Sequence, residues 1–189
     1  MTLIDETMLL EDAAPLRLQT ATVQSAGKLR ALRKTLRETS HHLNASADEA
    51  RLSWLATRQE IKHAQAHSNT LILLAWQSHD LVGELHMRAS PLARLRHDMR
   101  LALGVHPAHQ GRGIGQALLK RGIRWAAENP MITRVSLSVH SNNAHAIRLY
   151  ENLGFVIEGR RKGAIRANPG QDGDQAIDEL LMGLYLVAA

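Results

Sequence analysis

The sequence predicts a single α/β domain, and three observations carry that expectation. Segments with the period-two alternation of a strand stand between segments with the 3.6-residue period of a helix. The stretch from Val105 to Leu119 passes from strand through a glycine-rich turn into a helix. Finally, 189 residues with 44% hydrophobic and 22% charged side chains suffice for one sizeable core, and no repeat, low-complexity tract or long linker divides them.

Taken in order, residues 1–14 read as a loose acidic leader before Pro15, and residues 15–189 as the domain. Leu16, Leu18 and Thr20 alternate with Arg17 and Gln19, which predicts a first strand. A helix is expected over 22–38, with Leu29, Leu32 and Leu36 on one face and Arg30, Arg33, Lys34 and Arg37 on the next. That basic stripe suits a solvated face, binding of an acidic partner being the alternative. A polar loop with His41 and His42 leads to Ser46-x-x-Glu49, a capping-box pattern that predicts a second helix over 47–66. Strands are expected over 70–76, 81–88 and 99–106, the first two joined by a turn at 77–80. Pro107 ends the third, because proline cannot donate to a ladder. Ile114, Leu118, Gly122 and Trp125 then share a helical face, and Asn129-Pro130 stops that helix. A strand at 135–140, a short helix from about Asn143 to Gly154 and a strand at 155–159 follow. Residues 168–174 are dense in turn formers. The run 177–187 is apolar on both faces, so it belongs inside the sheet.

Composition narrows the function classes. There are no cysteines, which excludes disulfides, thiolate metal sites and a catalytic thiol. Aromatic residues are only 3%, which argues against stacking platforms for single-stranded nucleic acid. The formal net charge of +5 favours anionic ligands, and a cofactor carrying several phosphates accounts for it as well as nucleic acid does. No basic apolar signal segment opens the chain and no apolar run reaches the ~18 residues of a span, so a cytoplasmic protein without a membrane partner is expected. Among eleven histidines, His63 and His67 lie four apart on a predicted helix. Ala64 stands where a zinc-protease motif has Glu, and scattered surface histidines are the simpler reading, with no metal expected.

The glycine-rich turn has the chemistry of an anion site. The first N–H groups of a helix lack intrahelical partners, and the helix dipole favours negative charge beside them. Gly111, Gly113 and Gly115 let a phosphate approach, while Gln110 and Arg112 add side-chain donors. Gln116 and Leu118 stand where a dinucleotide fingerprint needs glycine, and no Gly-Lys-Ser/Thr is present. The alternative is a tight turn and nothing more.

Gln110-Gly-Arg-Gly-Ile-Gly115 resembles the Gln/Arg-x-x-Gly-x-Gly/Ala signature of the GNAT acetyltransferase superfamily. Asn143-Ala-His-Ala-Ile-Arg-Leu-Tyr-Glu-Asn-Leu-Gly-Phe155 is similar to that superfamily's second block, Asn-x-x-Ala-x-x-Leu-Tyr-x-x-x-Gly-Phe. The two blocks, in this order and at this separation, make a specific match over roughly residues 97–160. The resemblance implies a mixed, mostly antiparallel seven-stranded sheet flanked by about four helices, with its fourth and fifth strands splayed apart. It also implies transfer of an acetyl group from acetyl-CoA, as co-substrate, to a primary amine: a small molecule, an amino acid, a polyamine or a protein N-terminus.

By the same resemblance, Gln110, Gly111, Arg112, Gly113, Ile114, Gly115 and Gln116 anchor the pyrophosphate. Backbone groups of Leu103 and Val105 hold the pantetheine arm, with the Val105 N–H as oxyanion donor. Asn143 contacts the cofactor, caps the short helix, or both. Tyr150 is the general acid for the departing thiolate, or else a ring packing that helix onto the sheet. Many relatives carry a Glu base on the fourth strand, where Arg100 stands here; Asp98, Glu84 and a water chain remain open. A non-catalytic acyl-CoA-binding sensor on the same fold is the alternative function. The expected partners are acetyl-CoA and an amine acceptor, with nucleic acid disfavoured and homodimerisation left open.

Overall fold

The computed structural model describes residues 3–10, 14–40, 53–167 and 174–186. Eight strands, β1 (Asp5–Met8), β2 (Leu16–Thr20), β3 (Thr70–Gln77), β4 (Asp80–Ala89), β5 (Asp98–Val105), β6 (Arg134–His140), β7 (Val156–Arg166) and β8 (Ala176–Tyr185), form one sheet. Its order is β1-β2-β3-β4-β5-β6-β8-β7. Four helices, α1 (Ala26–Thr39), α2 (Trp54–Ala66), α3 (Ile114–Ala127) and α4 (Ala144–Glu151), complete it. None of the described helices is long and apolar enough to cross a membrane.

The strand count corrects the expected seven. The leader holds β1, which pairs antiparallel with β2 from Asp5↔Gln19 to Met8↔Leu16. Ile4 is buried and its N–H donates to Thr20 Oγ1 at 3.0 Å, while Glu6 meets Arg121 of α3 at 3.0 Å. Acidic side chains made residues 1–14 look like a solvated leader, but an edge strand tolerates charges on its open face. The second helix is also shorter than expected. It begins at Trp54, where Ser53 caps it by accepting from Ala56 N–H at 3.0 Å. The Ser46–Glu49 capping box and the loop histidines lie outside the described residues, as does the turn-rich stretch 168–173.

β7 runs on to Arg166, past the expected end at Gly159. Its residues are exposed on both faces, so Arg160-Arg-Lys-Gly163 carries no alternation, yet β8 pairs with it through two register shifts. β8 lies between β6 and β7, as its apolar pattern requires.

Two cores cover the two sheet faces. On one, Leu85, Met87, Met99 and Val135 meet Ile114, Leu118, Leu119 and Trp125 of α3, together with Tyr150 and Phe155. On the other, Ile72, Leu74 and Leu81 meet Leu29, Leu32 and Leu36 of α1 and Ile61 of α2. Gly122 brings α3 close to the sheet. A Cβ there would lie 2.7 Å from Met87 Sδ and against Leu85 Cδ2, in the fully buried interior. Gly122→Val should therefore destabilise the fold by ~1–3 kcal/mol, the usual range for an overpacked core. A urea midpoint unchanged from wild type would show that Leu85 and Met87 repack freely.

Candidate functional site

β5 and β6 run parallel but share a ladder only over Asp98↔Arg134, Met99↔Val135 and Arg100↔Ser136. Beyond Arg100 they separate. This is the expected splay, carried by the fifth and sixth strands because β1 precedes the others.

Which backbone groups face the gap follows from the β4–β5 register. His106 N–H bonds to Val82 C=O at 2.8 Å, and the pairing runs on through Gly104↔Glu84 and Ala102↔His86. In an antiparallel ladder, hydrogen-bonded and non-bonded pairs alternate. The N–H and C=O groups of Leu103 and Val105 therefore point away from β4, into the gap. Gln110 Nε2 already donates to the Val105 carbonyl at 3.0 Å, which ties the glycine turn to the strand. That leaves the Val105 N–H, with the Leu103 N–H and C=O, facing the opening.

A cavity of about 940 Å³ passes through this gap. On the α3 side it is lined by Leu103, Val105, Gln110, Gly111, Gly113, Ile114, Gly115, Gln116, Asn143, Leu149 and Tyr150. Of the residues singled out from the sequence, ten converge here, and Arg112 stands exposed within the same turn. Gly111 and Gly113 have φ of +75° and +78°, the left-handed region that glycine enters without strain. Gly113 caps α3, and its carbonyl accepts the first helical bond from Ala117 N–H at 2.9 Å. The N–H groups of Ile114, Gly115 and Gln116 precede that bond and have no helical partner. Steric clearance at the glycines is less tight than the spacing suggests. A Cβ on Gly113 would meet only Leu10 Cδ2 at 3.8 Å, and one on Gly115 would touch Leu103 and Leu149 at 3.4 Å. The turn needs glycine at 113 for its backbone angle more than for room.

Asn143 caps α4, its Oδ1 accepting from Ala146 N–H at 3.1 Å. Tyr150 is 7% exposed, packs edge-on to Phe155 at 5.7 Å and borders the cavity, so it has both a packing contact and access to the gap. Burial pushes its phenol up to about 12, so the hydroxyl keeps its proton at neutral pH.

The candidate bases are engaged elsewhere. Glu84 faces α1, where Arg33 Nε donates to its oxygens at 2.9 and 3.1 Å and Arg33 also pairs with Glu60 at 2.6 Å. Burial pushes the Glu84 carboxyl up while Arg33 pulls it down. Asp98 meets Arg134 at 3.4 Å, and Arg100 is exposed.

On the opposite, α1 side the lining comprises Leu36, Thr39, Ser40, Ala102, Gly104, Ser138, His140 and Glu179. Thr39 and Ser40 open the polar loop 39–47, which the family resemblance makes a candidate for acceptor contact; the other residues were not singled out for the site. Glu179 carried a signal, an acid directly ahead of the run Leu180 to Leu184; Leu36 carried none, because it reaches the gap only through the packing of α1 on β5. Elsewhere, His63 and His67 stack at 4.0 Å, and among the described residues no three His, Cys, Asp or Glu side chains converge as a metal site.

This arrangement can be set beside known proteins. The sequence model of the Acetyltransferase (GNAT) family matches residues 31–155. Over 53 residues the chain is 51% identical to a mycothiol acetyltransferase of Kineococcus radiotolerans, covering 28% of this chain and 17% of that protein. Over 55 residues it is 45% identical to a spermine/spermidine N(1)-acetyltransferase of Bacillus subtilis, covering 29% of this chain and 36% of the other. The chain thus spans well under half the length of these curated relatives. A GNAT-family acetyltransferase from Streptococcus pneumoniae superposes with a TM-score of 0.83 at 24% identity, covering 91% of this chain and 99% of that one. A putative acetyltransferase from Salmonella typhimurium, solved with its cofactor acetyl-CoA, superposes at 0.79 with 19% identity over 91% of this chain and 94% of that one. With a family match over more than half of its length and the same fold across nearly all of it, the chain belongs to the GNAT acetyltransferase family.

Proposed function

We propose that this chain binds acetyl-CoA and catalyses transfer of the acetyl group to a primary amine. The observation that carries the reading is the opened β5–β6 edge, where the Leu103 and Val105 amides meet a cavity with a helix N-terminus at one mouth and Tyr150 in its wall. Unsatisfied strand amides suit an extended amide-bearing arm, because each needs a partner once water is displaced. The turn from Gln110 to Gln116 suits a pyrophosphate, with N–H groups of the first helical turn and Arg112 at its rim.

When bound, acetyl-CoA supplies a thioester carbonyl open to attack by an amine, and a thiolate that leaves. The protein's part is positioning, charge stabilisation and proton transfer. The Val105 N–H donates to the oxygen on which negative charge collects. Its carbonyl is fixed by Gln110, so that peptide is held in orientation before any ligand arrives. Tyr150, protonated and buried, donates to the departing sulfur. Because Glu84 and Asp98 are both held by arginines, the amine's proton leaves through water in the cavity. Two relatives, a mycothiol acetyltransferase and a spermine/spermidine N(1)-acetyltransferase, support an acceptor among small amine-bearing molecules.

Two substitutions test this. Gly113→Val forces a branched side chain to φ near +78°, at a cost of roughly 1–2 kcal/mol, and turns the N–H groups of the first turn away. The native protein should gain thermal stability with added CoA, and the folded variant should lose that gain. An equal CoA-dependent shift in both would remove the anion-turn reading. Tyr150→Phe keeps the ring against Phe155 and deletes the hydroxyl. It should retain acetyl-CoA affinity while kcat falls by about 10²-fold or more, the range of a general acid. A kcat within about twofold of wild type, with chemistry rate-limiting, would make Tyr150 a packing residue. CoA binding without turnover of any amine would instead favour a non-catalytic acyl-CoA sensor.

A further inference from the structure

Among the described residues that line the cavity, Glu179 is the only carboxylate, and it has no part in the reaction as derived above. It is 5% exposed, on a strand whose next residues are Leu180 and Leu181. Burying a carboxylate there costs several kcal/mol unless its charge is met. Its ion-pair partner is Arg161, whose Nη1 lies 2.6 Å from Oε2; that arginine side chain is 64% exposed, so the cation sits at the rim and the anion inside. Oε1 accepts no hydrogen bond among the described residues.

The sheet register fixes where this carboxylate stands. Glu84 pairs with Gly104, and His140 pairs with Glu179. The β5–β6 ladder ends at Arg100↔Ser136, so Gly104 and His140 share a face but stand on opposite sides of the opened gap. The α1 face therefore carries Glu84 and Gly104 on one side of the gap and His140 and Glu179 on the other. Glu84 is already met by Arg33, and Gly104, which has Leu36 over it, presents no polar side chain. Glu179 lines the same cavity as Leu103 and Val105, from the far side of the gap and one strand beyond β6. From there its carboxylate can meet a second charged group on an acceptor whose reacting amine sits beside the amides of those two residues.

We infer that Glu179 pairs with a second ammonium group of the acceptor, which makes the acceptor a diamine or polyamine rather than a monoamine or an amino acid. The inference rests on the acetyl-transfer reading and names the substrate class of that site. A carboxylate at this point attracts a distal cation, gives nothing to an uncharged chain end and repels a carboxylate. Arg161 competes for the same group from the rim.

Three acceptors of equal chain length isolate the far-end charge: 1,4-diaminobutane, butylamine and 4-aminobutanoate. Wild-type kcat/KM should favour the diamine over butylamine by about tenfold or more, beyond the factor of two from its second reactive end, with 4-aminobutanoate the poorest. Glu179→Gln should bring the diamine-to-butylamine ratio close to two, and Glu179→Lys should favour 4-aminobutanoate over the diamine. Arg161→Ala, at the exposed end of the ion pair, should raise the diamine preference. A purely structural ion pair would instead lower thermal stability and leave every ratio unchanged. CoA-dependent thermal stabilisation, measured alongside, separates the two readings. Its absence in wild type overturns the acetyl-CoA assignment. Its presence, with equal ratios in wild type and Glu179→Gln or with turnover of none of the three acceptors, overturns the diamine assignment alone.

Discussion

Backbone hydrogen bonding in a sheet must be completed at every strand edge, and in this protein the edge left open is internal. β5 is zipped to β4 along its whole length but to β6 at only three positions. The amides of Leu103 and Val105 consequently face a cavity instead of a neighbouring strand. A buried amide without a partner is costly, so such a slot favours a ligand that offers alternating donors and acceptors along its length. The rest of the site takes its position from that slot. The glycine turn begins where β5 ends, Gln110 reaches back to the Val105 carbonyl, and α4 follows β6 to bring Tyr150 to the wall.

Holding two parallel strands apart requires support on both faces, and the two cores provide it. α3 is drawn onto one face through Gly83 and Gly122, where little space separates helix from strand. α1 lies on the other face, with Leu36 over Gly104 at a distance that would be 2.5 Å to a Cβ. The Arg33, Glu84 and Glu60 cluster ties α1 and α2 to β4 beneath it. These elements give the cavity two unlike halves. The α3 half presents N–H groups and a helix dipole and suits anions; the α1 half carries Glu179 and suits cations. A reaction that joins a polyphosphate-bearing donor to an amine fits that division of charge.

Local chemistry made much of this legible in advance. Glycines at positive φ, a proline at the end of a strand and asparagine ahead of a helix are choices that neighbouring residues alone decide. The turn from Gln110 to Gln116, the cap at Asn143 and the order of elements from β2 onward follow from such choices. Edges were less legible. β1 and the second half of β7 lie at the two ends of the sheet; β1 is only four residues long with two acids, and β7 is largely exposed on both faces, so neither shows the apolar alternation that marks a strand. Their existence depends on partners, β2 and β8, that stand elsewhere in the sequence.

The amino-acid sequence by itself determined the family and the glycine turn that opens α3, because each is written in a short run of residues. The tertiary structure alone decided that Glu84 and Asp98 are held by arginines, and that Glu179 reaches the cavity from a strand more than 70 residues beyond β5. It also decided that the splay falls immediately after Arg100. Those facts depend on register between strands distant in the chain. Register is set by the packing of two whole faces, and shifting it by one residue would turn every side chain of the strand to the other side.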